Sequence, residues 1–235
     1  MTITPERPPG AELKSAARHD VPARGPLDRR RVLDAALGFV DEHGLEALSM
    51  RRLGAELGVE AMSLYRYVPS KEALLDGLAE RLWAEVQLPA EGAPDWQGAV
   101  RPTAASLRRL AHAHPNAYSL LFARATLPEP ALRVLEALLS TLRGAGFEPE
   151  LAGDALGALV AYTAGYAMAE LACGLGRPEL AAQRCVLLDA GSRSADLARV
   201  LGECDPDRQF DLGLEAILGG LEAKVRSESA GRSES

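Results

Sequence analysis

The sequence predicts an all-α protein, and three observations predict it. Hydrophobic residues fill 47% of the 235 positions, Ala and Leu leading and β-branched and aromatic residues scarce, a composition whose intrinsic preference is helical. Apolar residues recur at helical spacing, as at Val32, Ala35, Ala36, Phe39 and Val40. Breakers at Gly44, Gly58, Pro69, His114-Pro115, Leu127-Pro128, Gly144 to Gly146 and Gly174 to Pro178 cut the chain into segments of helix length. The expected architecture is an N-terminal three-helix head on a larger helical body.

Residues 1–26 are rich in Pro, Ala and Arg without an apolar period, so a disordered arm is expected there. Asp28 is a good N-cap for a first helix that Gly44 stops. Ser49 caps a second helix, with Leu48 before it and Leu53 inside it spaced as a hydrophobic staple, and Gly58 ends it after barely two turns. A third short helix is expected over 61–67, halted by Pro69. Ser70 caps a fourth over 70–86, striped by Leu74, Leu75, Leu78, Leu82 and Val86, which connects the head (27–71) to the body (87–226). In the body, helices are expected over 95–112, 116–124, 129–143, 150–172 and 206–224. Residues 178–202 are ambiguous, with a possible short helix at 180–188, and the tail 227–235 is expected to be disordered.

Charge and cysteine usage exclude several classes. A net charge of -7 argues against a protein that coats nucleic acid over its whole surface. Between Ser49 and Lys71, however, Arg51, Arg52, Arg66 and Lys71 face only Glu56 and Glu60, a local balance of +2. Cys173, Cys185 and Cys204 have neither CxxC spacing nor an even count, which points to idle thiols rather than disulfides or zinc. The first ten residues carry charges and prolines where a signal peptide needs an apolar run, and no long uncharged apolar stretch suggests a membrane span, so a cytoplasmic protein is expected. His112 and His114 sit two apart, on different sides of a helix, and make a poor metal pair. No Glu-x-x-His pair recurs as a di-iron bundle needs, and the cysteines lack a histidine context. Neither an enzyme, a cofactor nor a metal site is expected.

Two short helices joined through Gly58, with a longer helix before and after, have the helix-turn-helix arrangement in which the second short helix enters the DNA major groove. The alternative on pattern alone is a generic three-helix core. Residue identity favours the DNA reader, because the third helix has one large aliphatic to bury, Leu64, among small, hydroxyl, aromatic and cationic side chains. Tyr65, Tyr67, Ser63 and Ser49 offer hydroxyls to phosphate, and Lys71 lies at a helix N-terminus that itself attracts phosphate. Arg18 and Arg24 of the arm could also reach DNA. Arg51 is the candidate base reader for guanine, while Ala61 and Met62 offer apolar contact, for instance to a thymine methyl.

At this point the residues resemble the tetracycline-repressor (TetR) family. The runs Leu45-Glu46-Ala47-Leu48-Ser49-Met50-Arg51-Arg52-Leu53, Leu57-Gly58-Val59, Leu64-Tyr65-Arg66-Tyr67-Val68 and Lys71-Glu72-Ala73-Leu74-Leu75 look like that family's head almost without a gap. In the body the likeness is weaker, through Trp96-Gln97, Gly146-Phe147, Ala155-Leu156, Tyr162-Thr163 and Gly165, and it covers about residues 27 to 172. The resemblance implies a homodimer whose heads read two DNA half-sites and whose bodies bind a ligand that moves the heads apart. Where the tetracycline-binding member is expected to hold magnesium through a histidine and a glutamate, this chain has Leu121 and Ala169, with Glu170 one residue away. Metal-bound tetracycline is therefore not the expected ligand.

The helix over 150–172 is apolar on nearly every side and has to be covered on two faces. At 100° per residue Gly153, Gly157, Ala161, Ala164 and Met168 share one face, and the last helix carries Gly213, Ala216 and Gly220. These small residues are the expected dimer interface, a four-helix arrangement with the symmetry mate; ordinary packing within one chain is the alternative. The opposite face would look into the body, where Tyr162, Thr163 and Tyr166 could line an apolar pocket with Leu107, Leu121, Phe122, Leu138 and Leu142, suited to a largely hydrophobic small molecule. The expected function is a repressor that a small-molecule effector releases from a palindromic double-stranded DNA operator. An activator of the same family, or a helical protein-interaction module without DNA binding, are the alternatives.

Overall fold

The structure is a computed structural model and describes residues 26–173, 200 and 203–233. The expected arm up to residue 25 and the ambiguous stretch 178–202, apart from Val200, lie outside the described residues. All regular structure among the described residues is helical.

The head forms as its caps dictate. In α1 (Arg29–His43) the Asp28 carboxylate accepts from the Arg31 amide at 2.7 Å, and Gly44, with φ +83°, donates back to the Val40 carbonyl. Its face of Val32, Leu33, Ala36 and Val40 is buried. After a 3-10 turn (Leu45–Ala47), α2 (Met50–Leu57) starts on Ser49, whose hydroxyl accepts from the Arg52 amide at 3.3 Å, and ends on Gly58 in the left-handed conformation. Leu48 and Leu53 are both fully buried at its start, as a staple requires. Gly54 lets the next segment come close: a Cβ there would sit 2.8 Å from the Val59 carbonyl oxygen and 3.1 Å from the Ala61 nitrogen.

Helix α3 (Ala61–Leu64) is shorter than expected. The amides of Tyr67 and Val68 both close on the Leu64 carbonyl, turning residues 65–67 before Pro69. Helix α4 (Lys71–Ala84), capped by Ser70 at 3.0 Å, ends two residues before the expected limit. It is the bridge of the molecule, packing on α1 in the head and on α6 and α7 in the body. Arg29 with Glu80 and Arg81 with Asp34 pair across α1 and α4 at 2.9 and 2.8 Å.

The body comprises α5 (Trp96–Ala113), α6 (Leu120–Ala123), α7 (Glu129–Gly144), α8 (Pro149–Cys173) and α9 (Pro206–Ser233). Asp95 caps α5, and Pro102 inside it removes the amide that would bond the Gly98 carbonyl. Helix α6 is a single turn where a longer helix was expected from 116, because Pro115 breaks the chain and the amides of Ala117 and Tyr118 close on the His114 carbonyl instead. Helix α8 lies against α5, α7 and α9. By length and composition it could cross a membrane, yet its uncharged run between Asp154 and Glu170 is shorter than the roughly 20 residues that a span needs. The tail corrects the expectation of disorder, since α9 continues through 227–233. Arg226 pairs with Glu222 one turn back at 2.9 Å and the Ser227 hydroxyl donates to the Lys224 carbonyl, while no proline interrupts the helix.

Candidate DNA interface and effector cavity

The head presents a polar and apolar mixture on α2, α3 and the turn after it. Arg51 is exposed and forms no hydrogen bond or ion pair among the described residues, whereas its neighbour Arg52 ties a guanidinium nitrogen to the Ala47 carbonyl at 3.3 Å. Met62 is 73% exposed although nothing polar recommends it, and Tyr65 is exposed beside it. Ser63 and Ala61 are half-buried, Ala61 because its backbone abuts Gly54. Tyr67 packs partly against the core, and Lys71 stands exposed in the first turn of α4. The Ser49 oxygen is engaged by the Arg52 amide, which leaves its hydroxyl hydrogen for a partner. Arg66, counted only for its charge in the sequence, is exposed in the same turn as Tyr65 and adds a cation to this face.

Behind the head, the end of α4 and the middles of α5, α7 and α8 line an apolar cavity. Of the pocket residues expected from the sequence, Leu107, Leu138 and Thr163 line it, joined by Trp83, Val86 and Thr103. Its free space is only about 20 Å³, room for about one water. Thr103 is 4% exposed, and its hydroxyl oxygen has no hydrogen-bond partner. The Trp83 ring lines the cavity while its indole N–H donates to the Leu121 carbonyl on α6 at 3.3 Å, so one side chain touches the cavity, the bridge helix and α6. Phe122 meets the Trp83 ring edge-on at 6.2 Å on the outer side. A tryptophan and a threonine on the apolar faces of α4 and α5 were the sequence signals for this site.

The other expected pocket residues lie elsewhere. Leu121 is buried beside the cavity without lining it, and Leu142 is fully buried at the far end of α7, where its carbonyl accepts from Phe147. Tyr162 and Tyr166 turn to α9, donating their hydroxyls to the carbonyls of Phe210 and Pro206, both at 2.8 Å. One residue is 100° on a helix, so Tyr162 and Thr163 face different neighbours.

Beside these tyrosines a buried ion pair fastens α5 to α8. The Arg108 guanidinium donates to both oxygens of Glu170, at 2.8 and 2.6 Å, reaches Asp207 at 2.7 Å, and lies over the Phe210 ring. His112 approaches the same carboxylate at 3.2 Å. Burial pushes the Glu170 carboxyl upward, but the hydrogen bonds and charge of Arg108 outweigh it and hold the group below the usual carboxylate range. Glu170 is therefore committed to arginine.

Along α8 the small stripe is open rather than packed. Gly153, Gly157 and Ala161 are exposed, and Met168 is 45% exposed; on α9 Ala216 and Gly220 are exposed, next to Leu212 at 68%. Gly165 and Ala158, which were not among the expected interface residues, share the open side of α8. Two expected interface residues turn inward instead. Ala164 is buried, and Gly213 lies under Tyr162, whose ring a Cβ would strike.

A helix-turn-helix head on a helical body with one unusually apolar, half-uncovered helix defines a class of DNA-binding regulator. Comparison places the chain within that class. The family model "Bacterial regulatory proteins, tetR family" matches residues 32–78, and "Tetracyclin repressor-like, C-terminal domain" matches residues 88–225. The chain belongs to the TetR family of transcriptional regulators. It is 35% identical to the HTH-type transcriptional repressor DrrR1 of Streptomyces coeruleorubidus over 89% of this chain and 84% of that protein. It is 31% identical to the tetracycline repressor protein class C of Escherichia coli, over 83% and 91% of the two chains. The crystal structure of the Streptomyces coelicolor TetR family protein ActR in complex with actinorhodin superposes with a TM-score of 0.70 at 31% identity, covering 86% of this chain and 99% of that one.

Proposed function

We propose that this chain is a homodimeric repressor that binds a palindromic operator through two heads and leaves it when a small, mainly hydrophobic effector enters the cavity behind α4. The observation that carries the reading is Trp83, which lines the cavity, belongs to the helix that bears the head, and bonds α6. Because the cavity holds so little free space, an effector has to part its walls, and it thereby prefers a different arrangement of α4. That preference is the condition for a ligand to shift an equilibrium, since equal affinity for both states shifts nothing. The likeness to DrrR1, a repressor, and to ActR, crystallised with actinorhodin, supports the same reading. The test is a mobility shift on the DNA upstream of the protein's own gene, repeated with hydrophobic small molecules. Specific retardation that a ligand reverses is expected, and retardation that no ligand reverses counts against effector release.

The exposure of Arg51, which has no partner among the described residues, supports its assignment as the residue that reads a base edge. Arg51→Ala is expected to cost about 1–3 kcal/mol of operator affinity and to relax preference at one base pair, read by operator selection. Unchanged preference would remove the assignment.

The unpartnered Thr103 hydroxyl marks where an effector can form a hydrogen bond. A buried hydroxyl without a partner costs about 1–3 kcal/mol, so Thr103→Val, which keeps the shape, is expected to raise the thermal midpoint of the free protein while weakening an effector that carries a hydrogen-bonding group. A lowered midpoint would show that the hydroxyl is satisfied in the free state.

A further inference from the structure

His114 stands where head and body meet. It closes the C-terminal end of α5, is 7% exposed, and is held between carboxylates from two other helices. Its Nδ1 lies 2.8 Å from Asp41 Oδ2, near the end of α1, and its Nε2 lies 3.5 Å from Glu85 Oε2, just past the end of α4. Asn116, on the turn after His114, donates to the Asp41 backbone carbonyl at 2.9 Å, so the same turn grips the end of α1 twice. Asp41 and Glu85 are the charged groups that face the ring; His43, nearby on α1, stacks on Phe39 and bonds the Phe39 carbonyl.

We propose that His114 is a proton-operated latch between the DNA-reading head and the body. With both ring nitrogens protonated, the imidazolium can donate to Asp41 and Glu85 together and holds the ends of α1 and α4 against α5. A neutral ring has one N–H. If that proton serves Asp41, the Nε2 lone pair confronts the Glu85 carboxylate, and the contact with the end of α4 turns from attraction to repulsion. The hydrogen bond to Asp41, opposed by burial and aided by the charges of Asp41 and Glu85, raises the pKa of His114 above the usual histidine value. For a group raised on folding, the stabilisation is complete below the ordinary value of 6.5 and is lost as pH rises through the higher folded value. The head is thus held in this arrangement more firmly in mildly acid conditions than in alkaline ones. The latch goes beyond effector release, because it acts with the cavity empty.

The test uses the full chain without DNA or ligand, so its outcome is independent of the repressor reading. Amide hydrogen exchange, corrected for its intrinsic pH dependence, is followed at residues 40–44 and 113–118 between pH 6 and pH 9, with the cavity-lining segments of α7 as an internal control. Exchange at the joint is expected to accelerate about tenfold for each unit by which the folded pKa exceeds the free one, and the control to stay level. His114→Asn keeps a neutral donor for Asp41 and is expected to abolish the pH response, while Glu85→Gln, exposed and easily tolerated, is expected to reduce it. A joint whose exchange is as flat with pH in the wild type as in His114→Asn would overturn the latch, as would a response unchanged in both variants.

Discussion

Glu170→Ala lowers the stability of the protein by about 3 kcal/mol, at the lower end of what breaking a buried ion pair costs. The variant strands Arg108, whose side chain is only 11% exposed and which would keep Asp207 alone, a carboxylate that is itself 85% exposed. A guanidinium is too basic to shed its proton near neutral pH whatever its neighbours, so the stranded arginine cannot escape by losing its charge. The loss is read as a fall in the urea midpoint at unchanged slope. It also has a pH signature. Because the native Glu170 carboxyl is held below its ordinary value of 4.5, its contribution is present above that value and disappears as pH falls through the lower native one. Wild type and variant therefore converge in acid. An unfolding free energy within a few tenths of a kcal/mol of wild type at neutral pH would mean that the pair is solvated and does not hold α5 to α8.

The second large effect is expected at the open stripe. Ala161 is exposed in one protomer, so Ala161→Arg should fold normally, yet the substitution sets a long cation in the middle of the face on which two copies of α8 would meet. The chain is expected to run as a monomer in sedimentation at micromolar concentration, with a thermal midpoint that no longer rises with concentration. Operator affinity should fall by about a hundredfold or more, because linking two weak heads raises avidity by about 10²–10⁴ over one. A head with a local balance of +2 depends on that linkage. If the variant stays dimeric, the stripe is not the interface.

What could be read from the sequence were features set by local rules. Asp28, Ser49 and Ser70 cap helices because a short polar side chain beside the first turn satisfies amides that nothing else reaches. Gly44 and Gly58 end helices because their φ angles are positive. Where competing local bonds decided, the sequence was less legible. The amides after Leu64 and His114 close on single carbonyls, which shortened α3 and α6, and i,i+4 pairing carried α9 past its expected end. Long-range packing was the least visible. Periodicity grouped Tyr162 and Tyr166 with Thr163, but α9 claims the tyrosines through two carbonyls and leaves the cavity to Thr163, with Trp83 and Thr103 arriving from other helices. A stripe of small residues likewise shows that something packs closely without showing whether it is a symmetry mate or, as for Gly213, a ring of the same chain.

The most direct test of the central claim is the affinity of the full-length protein for a palindromic duplex selected from its own upstream DNA, measured by fluorescence anisotropy beside the same duplex with one half-site scrambled. The account predicts saturable binding to the palindrome that weakens steeply with salt, and binding about a hundredfold weaker to the scrambled duplex. Equal affinity for the two duplexes, or no affinity for either, would contradict it.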